Sequence, residues 1–377
     1  MKNIWIDGYE ANVGQRLGSS QVAFELIKNI EAIDRSYREN NYTVLLPSTP
    51  LPDFPQEREG FKYKILKPNK LWTRIALPFA LFKTKEKPDL IFSPTHYIPR
   101  FVPKNIKKVV TIFDLSYLHY PQMFNKKDLY KLKNWSGYSI KNADHIITIS
   151  QSTKKDIIKQ YGREKSEVTI AYPGYNSRLM QPIKDQAKIE KFLKKYNINY
   201  SYIIFIGTVQ PRKNLLKLIE AFKNIEHLKL VIVGKIKGEG RQGWMSDEIL
   251  ELPKKLGIEE RVTFTGFVPD ADLPYLINGA TAFILPSLWE GFGIPVVDAM
   301  ACGVPVIVSN VSSLPEVVGK AGLLVDPRSV DQIEQAIRIV STDKKLHDKL
   351  AKMGIERAKK FSWKKMTKQV INVLNAV

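Results

Sequence analysis

Ser287-Leu288-Trp289-Glu290-Gly291-Phe292-Gly293-Ile294-Pro295-Val296-Val297-Asp298-Ala299-Met300-Ala301-Cys302-Gly303-Val304-Pro305-Val306-Ile307 is the stretch that decides how this chain is read. It sets Glu290 in a Gly-rich turn, opens a helix with Pro295, places Asp298 in the first turn of that helix, and stops at Gly303-Val304-Pro305 before an apolar strand. Gly291 and Gly293 let backbone amides approach a ligand closely, and the unpaired amides of a helix start point the same way. Anions bind at such corners. Proline at a first helical position costs no hydrogen bond. A carboxylate repels phosphate, so Glu290 and Asp298 are expected to accept hydrogen bonds from hydroxyls. Hydroxyls beside phosphate point to a nucleotide sugar.

Outward from this stretch, short β-rich runs alternate with helical patterns, which indicates an α/β architecture with parallel sheets. Strands are expected at Ile4–Ile6, Thr43–Leu46, Leu90–Phe92, Val109–Phe113, His145–Ile149 and Val168–Ala171. A second set follows at Tyr202–Ile206, Leu230–Val233, Val262–Phe264, Ala282–Leu285 and Val306–Val308. The 377 residues suit two domains. The expected division is 1–180, 181–362 and a final helix over 363–377. Two doubly wound, Rossmann-like domains would face each other across a cleft, with ligands outside the carboxyl ends of the strands.

The composition reads as a soluble globular protein: 44% hydrophobic, 25% charged and 10% aromatic. Cys302 is the single cysteine, so no intramolecular disulfide and no Cys-based zinc site forms, and packing inside an apolar helix is its expected role. No apolar run reaches membrane-span length, and Met1–Gly8 reads as a strand rather than a leader. A cytoplasmic protein is expected. The formal net charge is +20, and residues 51–150 carry half of it, with 18 Lys and Arg against 8 Asp and Glu. No nucleic-acid motif accompanies that surplus, so nucleic acid is not an expected partner. An anionic membrane surface fits better: Leu71–Lys83 is apolar with basic ends, and Met123–Trp135 mixes aromatics with four lysines. Both also fit core-facing helices with solvated basic sides, and Pro78 interrupts the first.

The segment Glu290-x7-Asp298, with Pro286-Ser287 before it and Ala299 to Ile307 after it, resembles the E-x7-E signature of retaining glycosyltransferases with the GT-B fold, specifically glycosyltransferase family 4. The resemblance covers nearly the whole chain and is most specific from Gly207 to Ile307. It implies transfer of a hexosyl group from a nucleoside diphosphate sugar to an acceptor hydroxyl, with retention and with neither cofactor nor bound metal. It also implies that the last helix crosses back to the first domain.

Gly207-Thr208-Val209-Gln210-Pro211-Arg212-Lys213-Asn214, between a strand and a helix, gathers two adjacent cations where a diphosphate would need them. The family pattern implies Lys213 first and Arg212 second as phosphate contacts; Thr208 stands where many members have Arg. Gly234 is implied near the nucleotide, and the backbone at Phe267 and Val268 near the base. Glu290 is implied for sugar hydroxyls, the amides of Gly291, Phe292, Gly293 and Ile294 for sugar and phosphate, and Asp298, one methylene shorter than the usual Glu, for the ribose.

In the first half, the loop Val13–Gln21 resembles the family's Gly-rich loop, with Gly18 retained and Ser20 where a second glycine is frequent. Phe113 stands where relatives often have a sugar-pocket His; either another group, such as His96, takes over or that contact is dispensable, and Asp114 and Ser150 are implied near the cleft. Pro211-Arg212-Lys213-Asn214 looks like mannosyl- or rhamnosyltransferases of bacterial surface polysaccharide pathways. A GDP-, UDP- or dTDP-hexose donor and a glycan or lipid-linked acceptor are the expected partners, with the protein peripheral at the inner membrane face. A nonhydrolysing sugar-nucleotide epimerase, or a silent nucleotide-sugar-binding subunit, are the alternatives.

Overall fold

The computed structural model describes residues 1–37, 39–235 and 246–377. They form two compact units, Met1–Gly174 with Ser362–Val377, and Tyr175–Phe361. Each is an α/β unit built on one parallel sheet.

The first unit has seven strands: β1 (Lys2–Asp7), β2 (Asn40–Leu46), β3 (Phe61–Ile65), β4 (Leu90–Ser93), β5 (Lys107–Ile112), β6 (His145–Thr148) and β7 (Val168–Ile170). Their order is β3-β2-β1-β4-β5-β6-β7, all parallel. Central strands such as Leu90–Ser93 are buried along their whole length, because helices cover both faces. The direction of strand addition reverses between β1 and β4. The closing helix Trp363–Ala376 packs on the helix Ser19–Tyr37, and Lys2 Nζ donates to the carbonyls of Leu374 (3.3 Å) and Asn375 (2.8 Å) at its end.

The second unit has β8 (Tyr202–Ile206), β9 (Lys229–Val233), β10 (Val262–Gly266), β11 (Ala282–Leu285), β12 (Val306–Ser309) and β13 (Gly322–Val325), in the order β10-β9-β8-β11-β12-β13. All pairs are parallel, and the order reverses between β8 and β11. The fold is thus GT-B in type, two doubly wound sheets.

Two strands escaped the sequence reading, β3 and β13, both at sheet edges. Pro78 does not interrupt its helix. A π-helical turn, Trp72–Ala76, ends with the Leu77 amide donating back to Trp72 O, and Pro78, with no N–H, enters the α-helix Leu77–Lys83 at its start. A similar wide turn, Leu132–Ser136, joins helices Lys126–Lys131 and Gly137–Asn142. Among the described residues, no helix is long and apolar enough to cross a membrane.

Candidate functional site

Two loops leave the second sheet at its reversal point, where open parallel sheets bind ligands. After β8 come Gly207–Gln210, a 3₁₀ turn Pro211–Lys213, and Asn214 in the left-handed region (φ 60°) starting the helix Leu215–Phe222. Asparagine tolerates that conformation. Its Nδ2 donates to Pro286 O (3.0 Å) and Pro327 O (2.6 Å), so a buried side chain fixes the loop after β8 against the loop after β11. The Leu288 amide donates to Arg212 O at 2.9 Å, and Arg212 Nη1 donates to Trp289 O. Cross-braced in this way, the loops bring together charges 77 residues apart.

Glu290 is 6% exposed. Lys213 Nζ lies 2.7 Å from its Oε1, and Arg212 Nη1 lies 3.2 Å from Oε2. Burial works to raise the carboxyl, but the charges of Lys213 and Arg212 and the Lys213 hydrogen bond outweigh it and hold the group at about 2. The Glu290 backbone is pinned too: its amide donates to Ser312 Oγ (3.0 Å), and its carbonyl accepts from Ser313 Oγ (2.9 Å). Two cations with one carboxylate leave a net positive cluster. It can hold an oxyanion while the carboxylate accepts hydroxyl protons in hydrogen bonds.

The strand ends beside it meet at glycines. Gly207 N donates to Val233 O and Gly234 N to Gly266 O, both at 2.9 Å. A Cβ on Gly234, whose φ is 148°, would lie 2.0 Å from Gly207 O, so only glycine fits. Thr208 follows in the turn between Gly207 and the cations. Beyond β10, Phe267 is exposed and Val268 is buried.

The helix after the Glu290 loop corrects the sequence reading. Gly293 (φ 97°) is its N-cap and Ile294 its first residue, so Pro295 is second and Asp298 fifth, in the second turn rather than the first. Cys302 lies just past the helix end, buried, and burial pushes its thiol up. Asp298 is partly buried, and burial, with Asp270 nearby, pushes it up to about 8. Gly291 is buried, and the Phe292 ring packs edge-on against Phe361 (5.3 Å) in the core, which leaves backbone as what this stretch can offer a ligand.

The first unit places the other candidates at the carboxyl end of its own sheet. His96, after β4, has a positive φ of 22°, its ring centroid is 5.1 Å from that of Phe113, and its Nδ1 is buried with no hydrogen-bond partner. Burial lowers its pKa, against the pull of Asp114 and Glu10. Asp114 accepts from the Ser116 amide at 2.9 Å. Gly18 (φ 56°) opens the helix Ser19–Tyr37, with open space around the place of a Cβ. Two of the expected site side chains are turned into structure. Ser20 Oγ exchanges hydrogen bonds with Leu17 N and O, and fully buried Ser150 caps the helix Gln151–Tyr161. Two carboxyls were missed. Asp7, at the end of β1, accepts from Trp72 Nε1 (2.8 Å) and is pushed up to about 7 by burial; Asp270 is the neighbour of Asp298. A strand closed by Asp7-Gly8 at a sheet rim was the available signal. Among the described residues, no three His, Cys, Asp or Glu side chains group as a metal site would need.

Two family profiles match in succession: "Glycosyltransferase Family 4" over residues 18–179 and "Glycosyl transferases group 1" over 188–360. The O-antigen chain mannosyltransferase B of Escherichia coli is 33% identical over 274 residues, 72% of this chain and 71% of its own. The serotype-specific mannosyltransferase WbdA of Escherichia coli is 30% identical over 236 residues, 59% of this chain and 27% of its own, so the chain spans about a quarter of that relative. Among solved structures, sucrose-phosphate synthase from Thermosynechococcus elongatus matches with a TM-score of 0.79 at 19% identity, over 100% of this chain and 99% of its own. HepE of Anabaena, solved with UDP and glucose, matches with a TM-score of 0.75 at 20% identity, over 100% of both chains. At that identity the structures show the fold; the sequence relatives show the lineage, and the chain belongs to glycosyltransferase family 4.

Proposed function

We propose that the chain transfers a mannosyl group from a nucleoside diphosphate mannose to a hydroxyl of a growing surface glycan, with retention at the anomeric carbon. The observation that carries this reading is the convergence of Lys213 and Arg212 on buried Glu290 at the reversal point of the second sheet. The mannosyltransferase names of the Escherichia coli relatives support the sugar. In the proposed complex the diphosphate lies by Gly207 and Thr208, with Lys213 and Arg212 on its oxygens, where they stabilise the charge that develops as the phosphate departs. Glu290 accepts hydrogen bonds from sugar hydroxyls and the backbone of Gly291 to Ile294 closes around sugar and phosphate. Asp298 meets the ribose, and Gly234, Phe267 and Val268 lie towards the base.

The acceptor oxygen bonds to the anomeric carbon on the face the phosphate leaves, and the departing phosphate oxygen takes the acceptor proton. The products are the glycoside and the nucleoside diphosphate. The two cations fill the role a metal would otherwise serve, so chelators should leave the rate unchanged. Gly18, His96 and Asp114 belong to the acceptor side, and the basic surplus of the first unit supports an acceptor presented at an anionic membrane face.

Thermal stabilisation by GDP, UDP, dTDP and ADP, with their sugars, tests this on the wild type and on Lys213→Ala. A ligand at a hundredfold over its Kd adds about 2.7 kcal/mol. One nucleotide, GDP first, should raise the melting midpoint in the wild type and not in Lys213→Ala, and acceptor should be needed to free nucleoside diphosphate quickly. No shift with any nucleotide would overturn the reading, as would a changed sugar without released nucleotide.

A further inference from the structure

The helical stretch from Leu71 to Lys83 is apolar on two sides. Inward, Trp72, Ala76, Leu77, Ala80 and Leu81 pack in the core with Trp5 and Ile91. Outward, Leu71, Ile75, Phe79 and Phe82 are between 45% and 58% exposed. Their spacing of four, four and three residues puts them on one helix face. Grouped exposure of large apolar side chains marks an interaction surface, where single ones would not.

The rim of this stripe is cationic. Residues 70–87 hold Lys70, Arg74, Lys83, Lys85 and Lys87 against Glu86 alone. Lys83 Nζ lies 5.1 Å from the Phe79 ring centre, and Lys87 Nζ caps the carbonyls of Leu81 (2.8 Å) and Phe82 (2.6 Å), which fixes a charge at the helix end. The other basic, aromatic segment adjoins: the Arg74 guanidinium lies over the Trp135 ring at 4.4 Å and Lys131 Nζ at 5.6 Å, with Tyr130 exposed nearby in the chain.

We propose that this face seats on an anionic bilayer, the apolar stripe entering the boundary between headgroups and acyl chains and the cations meeting lipid phosphates. An apolar helix face with a basic rim is the chemistry of interfacial helices. The near-absence of acids from the rim favours a uniformly anionic surface over a protein partner, whose interface would mix signs. From the seated face, rings step inward in contact, Trp135 to Tyr97 (5.8 Å), Tyr97 to His96 (5.9 Å) and His96 to Phe113 (5.1 Å). That a membrane-held acceptor follows this row rests on the proposed transfer; the seating does not.

Flotation of the full chain with vesicles of phosphatidylcholine, with and without phosphatidylglycerol, tests the seating on the wild type, Phe79→Ser/Phe82→Ser and Lys83→Glu/Lys85→Glu. The wild type should float with anionic vesicles alone and be released by high salt. Either double variant should lower partitioning about tenfold or more while leaving the melting midpoint and its nucleotide shift unchanged. A wild type that stays unbound, or a Phe79→Ser/Phe82→Ser variant that floats like it, overturns the seating, as does a dimer that the same substitutions dissociate. Lost flotation with retained nucleotide binding defeats the docking face alone; retained flotation without nucleotide binding defeats the transfer reading alone.

Discussion

Glu290→Gln keeps the shape of a buried side chain and removes its charge. The folded protein holds this carboxyl at about 2 against an ordinary 4.5, with Lys213 at 2.7 Å and Arg212 at 3.2 Å. At 1.36 kcal/mol per unit, that difference favours the ionised form by about 3 kcal/mol. With the group 6% exposed, water screens little of it. The variant also leaves two largely buried cations without their carboxylate, the costly half of a broken buried pair. We expect a loss of about 3 kcal/mol at pH 7, read from urea midpoints at an unchanged slope. Because the folded pKa lies below the unfolded one, the stabilisation is complete above pH 4.5 and fades as pH falls towards 2. The gap between wild type and variant should therefore stay level at neutral pH and narrow on acidification. A gap under about 0.5 kcal/mol at pH 7, the size of an ordinary surface change, or one that widens in acid, would refute the coupling.

Gly234→Ala should be among the most damaging single changes in the second unit, since its Cβ would meet Gly207 O at 2.0 Å. A loss of about 4 kcal/mol or more is expected by urea unfolding, and near-native stability would mean the strand ends yield. Asp298→Asn tests the opposite sign. With its carboxyl raised to about 8, the folded state holds a proton that the unfolded state releases near 3.8, so wild-type stability falls as pH rises between those values. The asparagine variant should lack that fall and gain on the wild type in melting temperature between mildly acid and mildly alkaline pH; parallel profiles would count against the raised carboxyl.

The strands with continuous apolar runs were readable because burial on both faces leaves no polar alternation. β3 was not: Phe61-Lys62-Tyr63-Lys64-Ile65 carries two lysines and ends on an exposed Ile65, as an edge strand does. β13 lies at an edge of the second sheet, and of its four residues only Val325 is buried. Arg212, Lys213 and Glu290 were each legible from local chemistry. Their meeting depends on β8 lying next to β11, and strand order is a long-range property that local pattern does not carry. The position of Asp298 was misjudged by one residue, enough to move it from the first turn to the second, because Pro295 was taken as the first helical residue, when left-handed Gly293 starts the helix at Ile294. The carboxyls of Asp7 and Asp270 gain their interest from burial and, for Asp270, from lying near Asp298, which composition does not reveal.

Gly174 lies so close to the returning chain that a Cβ there would stand 2.1 Å from the Trp363 amide nitrogen. The first unit is therefore encoded in two pieces, with all of Tyr175–Phe361 synthesised between them. On the ribosome, its sheet can form while the helix Trp363–Ala376 does not yet exist, leaving the buried side of Ser19–Tyr37 uncovered and Asn40 Nδ2 without the bond it later donates to Asn375 Oδ1 at 2.8 Å. Vectorial folding would ordinarily finish the first-made domain first. Here the second unit can be complete in the nascent chain before the first is, and the earliest-made surface is the last to be covered.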